Sequence, residues 1–259
     1  MKNLKLSVNL LFVVISLIFV SCTDEPEVDD VTNLANLKTE IRADGTATGG
    51  AVFTKIDGTT FWLDYVKYKV VDSHLEIIGY DKIELPKEPK LYAEVVLEGV
   101  SLKTRNINDK AFYLSNCERV IIPQTVVSLE FRCFYGCTSL SSIVLPEGIT
   151  FLGLECFRGC TSLSSIVLPE SITSIEDQCF YNCTSLSSIV LPESITSIEY
   201  QCFYGCTSLE SIYFHSKKPP YIYFYNFYLR SVTAYVPKES LELYIDTFKN
   251  AFKEILPIE

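Results

Sequence analysis

The middle of the chain contains three nearly identical segments of 23 residues. They begin at Cys137, Cys160 and Cys183 and read CTSLSSIVLPEGITFLGLECFRG, CTSLSSIVLPESITSIEDQCFYN and CTSLSSIVLPESITSIEYQCFYG. A fourth copy begins at Cys206 and soon diverges. Self-similarity at a fixed period of this size is typical of solenoids, in which each repeat packs mainly against its two neighbours. The repeat therefore predicts an array of stacked coils.

Each copy contains two short alternating runs. In the second copy Leu163, Ile166 and Leu168 follow the LxxLxL pattern that is typical of leucine-rich repeats. Alternation along a strand directs Ile166 and Leu168 inward and leaves Ser165 and Val167 outside. A proline, which cannot donate to a strand ladder, then ends the run. With a second run and a tight turn, the predicted fold class is a β-rich repeat solenoid with short strands and helical turns.

The repeat pattern extends in weaker form on both sides, which places the leucine-rich repeat solenoid at about 92–216. Residues 40–91 alternate aromatic and β-branched side chains, and Asp57 followed by Gly58 is a turn signal. We expect two or three antiparallel strands there that cover the first edge of the solenoid, because an open edge invites pairing with another chain. A small independent module is the alternative. Residues 217–259 are predicted to form a C-terminal cap.

The first 21 residues resemble a bacterial lipoprotein signal peptide. Lys2 and Lys5 precede an almost wholly apolar run at 10–20, and a small residue comes directly before Cys22. The thiol of Cys22 is therefore a candidate for lipid attachment, which would hold the chain to a membrane by burial of acyl chains. An ordinary signal peptide is the alternative.

An acidic stretch follows the predicted lipidation site. The residues after Cys22 read TDEPEVDD, with five carboxylates in eight positions. Such a run cannot bury itself, so we expect 22–39 to be an extended acidic tether. It is similar to export signals of surface-exposed lipoproteins in some Gram-negative anaerobes, although a plain spacer would look the same. The predicted localisation is the bacterial outer membrane, lipid-anchored and facing outward.

The charge of the chain restricts its partners. The formal net charge is −10, and it becomes −12 once Lys2 and Lys5 are removed with the signal peptide. Affinity for nucleic acids depends on clustered Lys and Arg that neutralise phosphates. We therefore expect no nucleic-acid partner, and contact with a membrane only through the N-terminal lipid.

Nine of the ten cysteines follow the repeat in two columns. One column contains Cys133, Cys156, Cys179 and Cys202, and the other contains Cys117, Cys137, Cys160, Cys183 and Cys206. Equivalent residues of stacked coils lie roughly 5 Å apart, which permits a disulfide, but in-register side chains point the same way. We expect buried free thiols. Some disulfides or a metal site are the alternatives, although the chain has only two histidines, His74 and His215.

The phrase CFxxCTSLSSIVLPESITSIE resembles the BspA-type leucine-rich repeat of bacterial surface proteins. Cysteines of the first column replace the alanine that this family usually has, and Gly148, Ser171 and Ser194 stand where many leucine-rich repeats have Asn. The closing segment, 231–255, is similar to the strand, VPK turn and helix at the end of the family. The resemblance covers about 92–255 and implies a surface protein that adheres to host or microbial partners.

The sequence carries no catalytic signature. It contains no GxSxG elbow, P-loop, HExxH motif or glycine-rich dinucleotide motif. Regularly spaced carboxylates, which follow the repeat, indicate a solvated face rather than a paired acid and base: Glu170, Glu176, Glu193 and Glu199. We expect no enzymatic activity, no cofactor and no metal.

Two surfaces are candidate binding sites. The first is the outward side of the first strand, a flat ladder suited to an extended partner, formed by Ser142, Val144, Ser165, Val167, Ser188, Val190 and Tyr213. The second is an aromatic cluster suited to a sugar or a protein anchor, formed by Tyr221, Tyr223, Tyr225 and Tyr228. A cap packed on the last coil is the alternative for this cluster. A further column that we expect to be partly exposed contains Tyr135, Arg158, Tyr181 and Tyr204.

These surfaces lead to three functional hypotheses. The leading one is a monomeric surface lipoprotein that binds an extracellular protein through the solenoid. The alternative is a glycan-binding lipoprotein that assists polysaccharide capture, and a spacer without a specific ligand is the third.

Overall fold

The computed structural model describes residues 38–41, 47–48, 51–55, 57, 59–97, 99–223, 227–249 and 251–258. These residues belong to one compact unit, Asn33–Glu259. The predicted signal peptide, Cys22 and the predicted tether before Lys38 lie outside the described residues.

The described N-terminal region is a mixed sheet. Its strands are β1 (Lys38–Ile41), β2 (Phe53–Lys55), β3 (Thr60–Leu63), β4 (Val66–Val71), β5 (His74–Tyr80), β6 (Glu94–Leu97) and β7 (Val100–Ile107). Their order across the sheet is β1-β6-β7-β5-β4-β3-β2. Strands β2 to β5 form an antiparallel meander of four strands, where the sequence predicts two or three. Strand β6 is antiparallel to β7, unlike the parallel pairs of the repeats.

The repeats contribute two short strands to each coil. The first strand of a coil is β8 (Arg119–Ile121), β10 (Ser142–Val144), β13 (Ser188–Leu191) or β15 (Ser211–Phe214). The second strand is β9 (Ser128–Leu129), β11 (Phe151–Leu152), β12 (Ser174–Ile175), β14 (Ser197–Ile198) or β16 (Tyr221–Ile222). Pairing is parallel and joins equivalent residues, as in Ser188 with Ser211 and Ser174 with Ser197. The chain is thus a β-solenoid of about six turns with the predicted 23-residue spacing.

The meander covers the first edge of the solenoid by strand pairing. Strand β7 pairs in parallel with β9 on one side and with β5 on the other. The N-terminal sheet therefore continues the ladder of second strands, and its own buried residues join the core of the solenoid. This arrangement covers the first edge of the ladder of second strands, and an open edge there would favour pairing with another chain.

A strand and a helix close the other end, as the resemblance implies. Strand β17 (Thr233–Val236) pairs with β15, and helix α1 (Leu241–Phe248) leads to β18 (Glu254–Pro257), which pairs with β17. Short 3-10 turns precede β17 and α1 at Phe227–Ser231 and Lys238–Ser240. The buried Tyr244 of α1 donates its hydroxyl hydrogen to the carbonyl of Ser216 at 2.7 Å, which ties the helix to the last coil.

The core repeats with the coil. Five buried phenylalanines stack with ring centroids 5.1 to 5.8 Å apart. They are Phe112, Phe134, Phe157, Phe180 and Phe203. Tyr80 of β5 stacks on the first of them at 5.9 Å, so the cap extends the aromatic column. Buried aromatic pairs of this kind stabilise beyond the area that they bury.

The predicted helical turns are present as single hydrogen-bonded turns. In one coil Tyr181 N–H donates to Gln178 O, and Cys183 N–H donates to Phe180 O. Gln178 and Asn182 have φ values of 55° and 57°, and other coils have positive φ at the equivalent positions. Because two left-handed residues interrupt each coil, a continuous α-helix cannot form there.

The nine described cysteines are buried and free, as predicted. In the second column the thiols donate to phenylalanine carbonyls of the preceding coil at 3.0 to 3.1 Å. The donors are Cys137, Cys160, Cys183 and Cys206. The thiols therefore act as small core residues with a satisfied weak donor.

Candidate binding surfaces

The first-strand face is the outward side of the first strands and of the two strands that follow them, β17 and β18. All seven residues predicted for this face are at least partly exposed. They occupy two columns, with serines in one and large apolar side chains in the other. The register aligns Ser188 with Ser211 and Val190 with Tyr213, and a single bridge joins Val167 to Val190. Val167 is the most exposed member, at 43%.

The apolar column continues into the C-terminal cap. Tyr213 pairs with Tyr235, their rings stack at 4.7 Å, and Tyr235 pairs with Leu256, which is 38% exposed. The column from Val144 to Leu256 spans five strand steps, or about 24 Å. Tyr235 and Leu256 are not among the residues predicted for this face, because they lie outside the repeats. The alternation of buried and exposed residues in TAYV was the available signal.

A row of exposed carboxylates lies beside the apolar column. Glu147, Glu170 and Glu193 each follow the proline that ends a first strand. The carboxylate of Glu170 accepts a hydrogen bond from the Glu193 N–H at 3.1 Å, so this row is ordered in part by the backbone. The first-strand face is therefore an apolar strip with a hydroxyl column on one side and negative charge on the other.

The second-strand face is the outward side of β9, β11, β12, β14 and β16. Most coils place a serine and a glutamate there, and the serine donates to the glutamate: Ser128 to Glu130 at 2.6 Å and Ser174 to Glu176 at 2.8 Å. The coil that contains β11 has Phe151 and Gly153 at these two positions, and Phe151 is 37% exposed. Phe151 is not among the residues predicted for a binding site, although serine occupies its position in the next two copies.

The predicted aromatic cluster lies partly within the described residues. Tyr221 and Tyr223 occupy the second-strand face of the last coil and are 56% and 40% exposed. Their rings meet edge to face at 6.4 Å, and Tyr223 meets Tyr200 in the same way at 5.7 Å. Tyr225 and the side chain of Tyr228 lie outside the described residues. The structure brings the first two tyrosines together on one exposed surface.

The further column is a half-buried ladder of aromatic and arginine side chains. Tyr113 stacks on Tyr135 at 5.1 Å, and the Arg158 guanidinium lies 4.2 Å from the ring centroid of Tyr181. Glu155 pairs with Arg158 at 3.3 Å and with Arg132 at 2.8 Å. Because neighbours cover the ring faces and Glu155 balances the arginines, this ladder mainly stabilises the stack of coils.

A polar depression of about 470 Å³ lies where the cap meets the second-strand face. Its lining includes Glu76, Asn106 and Asn108. Burial raises the pKa of Glu76, but hydrogen bonds from Asn108 and Asn106 outweigh that effect and lower the pKa, so the carboxylate is ionised at neutral pH. Among the residues that the structure describes, no group of three or more His, Cys, Asp or Glu side chains is placed to hold a metal ion.

The stacked coils of two parallel strands define a leucine-rich repeat solenoid, a class whose members are typically binding scaffolds. Residues 105–233 match the model of the BspA type leucine rich repeat region in six copies. The repeats of this chain are therefore of the BspA type. A comparison of the sequence with curated proteins gives no match.

Solved structures of bacterial leucine-rich repeat proteins share the fold. The T. pallidum leucine rich repeat protein TpLRR is 23% identical with a TM-score of 0.56, and the match covers 80% of this chain and 100% of that one. A leucine rich cell surface protein from Faecalibacterium prausnitzii is 20% identical with a TM-score of 0.53, covering 79% and 56%. The pneumococcal vaccine antigen PcpA is 16% identical with a TM-score of 0.57, covering 82% and 49%. This chain thus spans about half the length of the latter two, and the likeness concerns the fold.

The described part of the chain contains no helix that is long and apolar enough to cross a membrane.

Proposed function

We propose that this protein binds another protein at the bacterial cell surface through the first-strand face. The observation that carries the proposal is the apolar column from Val144 to Leu256, which is at least partly exposed along its length. A contiguous apolar strip rimmed by polar side chains is typical of a protein-interaction site. The stacked pair Tyr213 and Tyr235 supplies the large aromatic contact area that anchors many interfaces.

The charge of this face supports a particular kind of partner. Glu147, Glu170 and Glu193 flank the apolar column, and the whole chain carries a net charge of −10. An extended segment with apolar side chains toward the column and Lys or Arg at its rim would complement both features. Electrostatic attraction of this kind raises the association rate and weakens as salt increases.

The surface location is supported by the repeat family and by the neighbours. One structural neighbour is a cell surface protein and another is a vaccine antigen. The sequence of the N-terminal segment supports attachment through a lipid on Cys22. The acidic tether would then join the lipid to the solenoid, and the protein would lie on the outer face of the outer membrane. In this arrangement the first-strand face is available to partners outside the cell.

The binding proposal is tested by placing charge on the apolar column. We expect Val167→Lys combined with Val190→Lys to weaken binding by at least about tenfold, because two ammonium groups would have to be desolvated at the interface. The measurement is surface plasmon resonance of residues 23–259 against a panel of immobilised extracellular-matrix proteins. Ser185→Lys is the matched control, because Ser185 is exposed and lies off the column.

The outcomes separate the hypotheses. Saturable binding that the double variant loses and the control keeps supports the first-strand face. A double variant that melts like the wild type and binds equally well rules this face out. Absence of binding to the whole panel argues for the spacer hypothesis instead.

The anchor is tested separately in cells of the bacterial host. We expect Cys22→Ser to abolish incorporation of a labelled fatty acid and to release the protein from the membrane fraction, because the thiol is the only proposed acceptor. Labelling that persists in this variant would contradict lipidation at Cys22.

A further inference from the structure

The second-strand face has one coil that differs from its neighbours on both sides. Ser128 and Glu130 lie in the coil before it, and Ser174 and Glu176 lie in the coil after it. In each of these pairs the serine hydroxyl donates to the glutamate, at 2.6 Å and 2.8 Å. The intermediate coil replaces serine by Phe151. An aromatic ring therefore stands between two ordered carboxylates.

Gly153 lets the backbones of two coils pack closely beside this ring. It occupies the position at which the neighbouring coils carry Glu130 and Glu176, so this coil adds no third carboxylate between the two. The backbone is tightly packed here, since a Cβ on Gly153 would lie 2.6 Å from the carbonyl carbon of Glu130. Gly153 is itself buried, so this part of the face combines an exposed ring with a carboxylate in the coil on each side.

We propose that this part of the second-strand face binds a neutral saccharide. The ring of Phe151 is 37% exposed and makes no ring-to-ring contact among the described residues, so it is available to the C–H face of a sugar. Hydroxyl groups of the sugar would donate to Glu130 and Glu176. A carboxylate offers about four acceptor positions, and the serine contact uses one of them.

The charge and spacing of the site limit the ligand further. Two carboxylates beside the ring would repel a sulfated or uronic-acid glycan, which favours an uncharged one. Glu130 and Glu176 are two coils apart, or about 10 Å, a span that a short oligosaccharide covers. Tyr221 lies on the same face about 14 Å beyond Phe151 and is 56% exposed, so a longer chain would reach a second aromatic ring.

The proposal is independent of the protein-binding function, because it concerns a different face. The first-strand face is centred on an apolar column, with its serines and carboxylates at the rim. The site around Phe151 instead mixes one aromatic ring with charged acceptors, which is the combination that polyhydroxyl ligands need. The two sites can therefore be tested with separate variants.

The test is affinity electrophoresis of residues 23–259 in gels that contain a neutral polysaccharide. The probes are soluble α-glucan, β-glucan, mannan and xylan, followed by calorimetry with oligosaccharides of any polysaccharide that retards the protein. We expect Phe151→Ser to weaken binding by about tenfold or more. This variant introduces a serine, the residue that the next two coils carry at the same strand position as Ser174 and Ser197. The fold therefore tolerates it.

Two further variants locate the contact. Glu176→Gln should also weaken binding, because an amide accepts fewer sugar hydroxyls than a carboxylate, while Val190→Lys on the first-strand face should leave it unchanged. Absence of retardation by all four polysaccharides would overturn the proposal. Equal binding by wild type and Phe151→Ser would overturn it as well, since the saccharide would then lie elsewhere, with Tyr221 the next position to examine.

Discussion

Gly148 and Gly153 show that two glycines of one coil serve different purposes. A Cβ on Gly153 would lie 2.6 Å from Glu130 C and 2.7 Å from Phe131 N, both backbone atoms. A Cβ on Gly148 would approach no closer than 4.0 Å, to Gln124 O. Gly153 is therefore required by the close approach of two backbones, whereas Gly148 has room for a side chain.

We expect Gly153→Ala to lower the free energy of unfolding by about 1–3 kcal/mol, because the neighbouring coil has to move. Gly148→Ser is the matched control. In the next coil Ser171 occupies the same position, and its hydroxyl donates to Glu147 O at 2.8 Å. The equivalent acceptor for position 148 is Gln124 O, so this substitution should be neutral or slightly stabilising. Urea unfolding of both variants measures the difference, and equal destabilisation by the two would contradict the packing argument.

At the scale of strands, alternation within the repeat was sufficient to predict the coil. Leu163, Ile166 and Leu168 were expected to point inward and are 0%, 4% and 5% exposed. Val167, which was expected to point outward, is 43% exposed. Alternation with a period of two predicts which side chains point inward, because one face of each short strand must be buried.

The same pattern could not show how the cap is attached. The residues of β4 and β5 indicate antiparallel hairpins, but only the folded chain shows that β5 pairs in parallel with β7. That contact joins segments far apart in sequence, so no local signal encodes it.

The site around Phe151 was overlooked for a different reason. A phenylalanine in a strand is usually a core residue, and its exposure follows from the strand position that serine occupies in the neighbouring coils.

At the scale of the whole molecule, the thiol columns couple stability to pH. Burial raises the pKa of Cys137 and of Cys206 from 9.0 to about 12. Burial also raises the pKa of the other described thiols of both columns. At Cys117 the contact with Cys137 is the main cause of a raised pKa, and burial adds to it. The folded chain therefore keeps its thiols protonated at pH values where an unfolded chain would lose those protons.

The sign of the effect follows from this difference. The stabilisation is fully present below the thiol pKa of the unfolded chain, 9.0, and is lost as the pH rises from there toward about 12. Each thiol that is protonated only in the folded state contributes a loss of about 1.4 kcal/mol per pH unit. With two buried columns, we expect the free energy of unfolding to fall steeply from pH 8.5 up to about pH 10, the pKa of an ordinary tyrosine.

Urea unfolding at pH 7.5, 8.5, 9.2 and 10 in the presence of a phosphine reductant measures this slope. The matched variant replaces the first column with alanine, the residue that the repeat family usually has there: Cys133→Ala, Cys156→Ala, Cys179→Ala and Cys202→Ala. Because four buried thiols are removed and the second column remains, its stability should depend less on pH than that of the wild type. A wild-type stability that stays constant over this range, or equal slopes for the two proteins, would show that the thiol columns do not link folding to proton uptake.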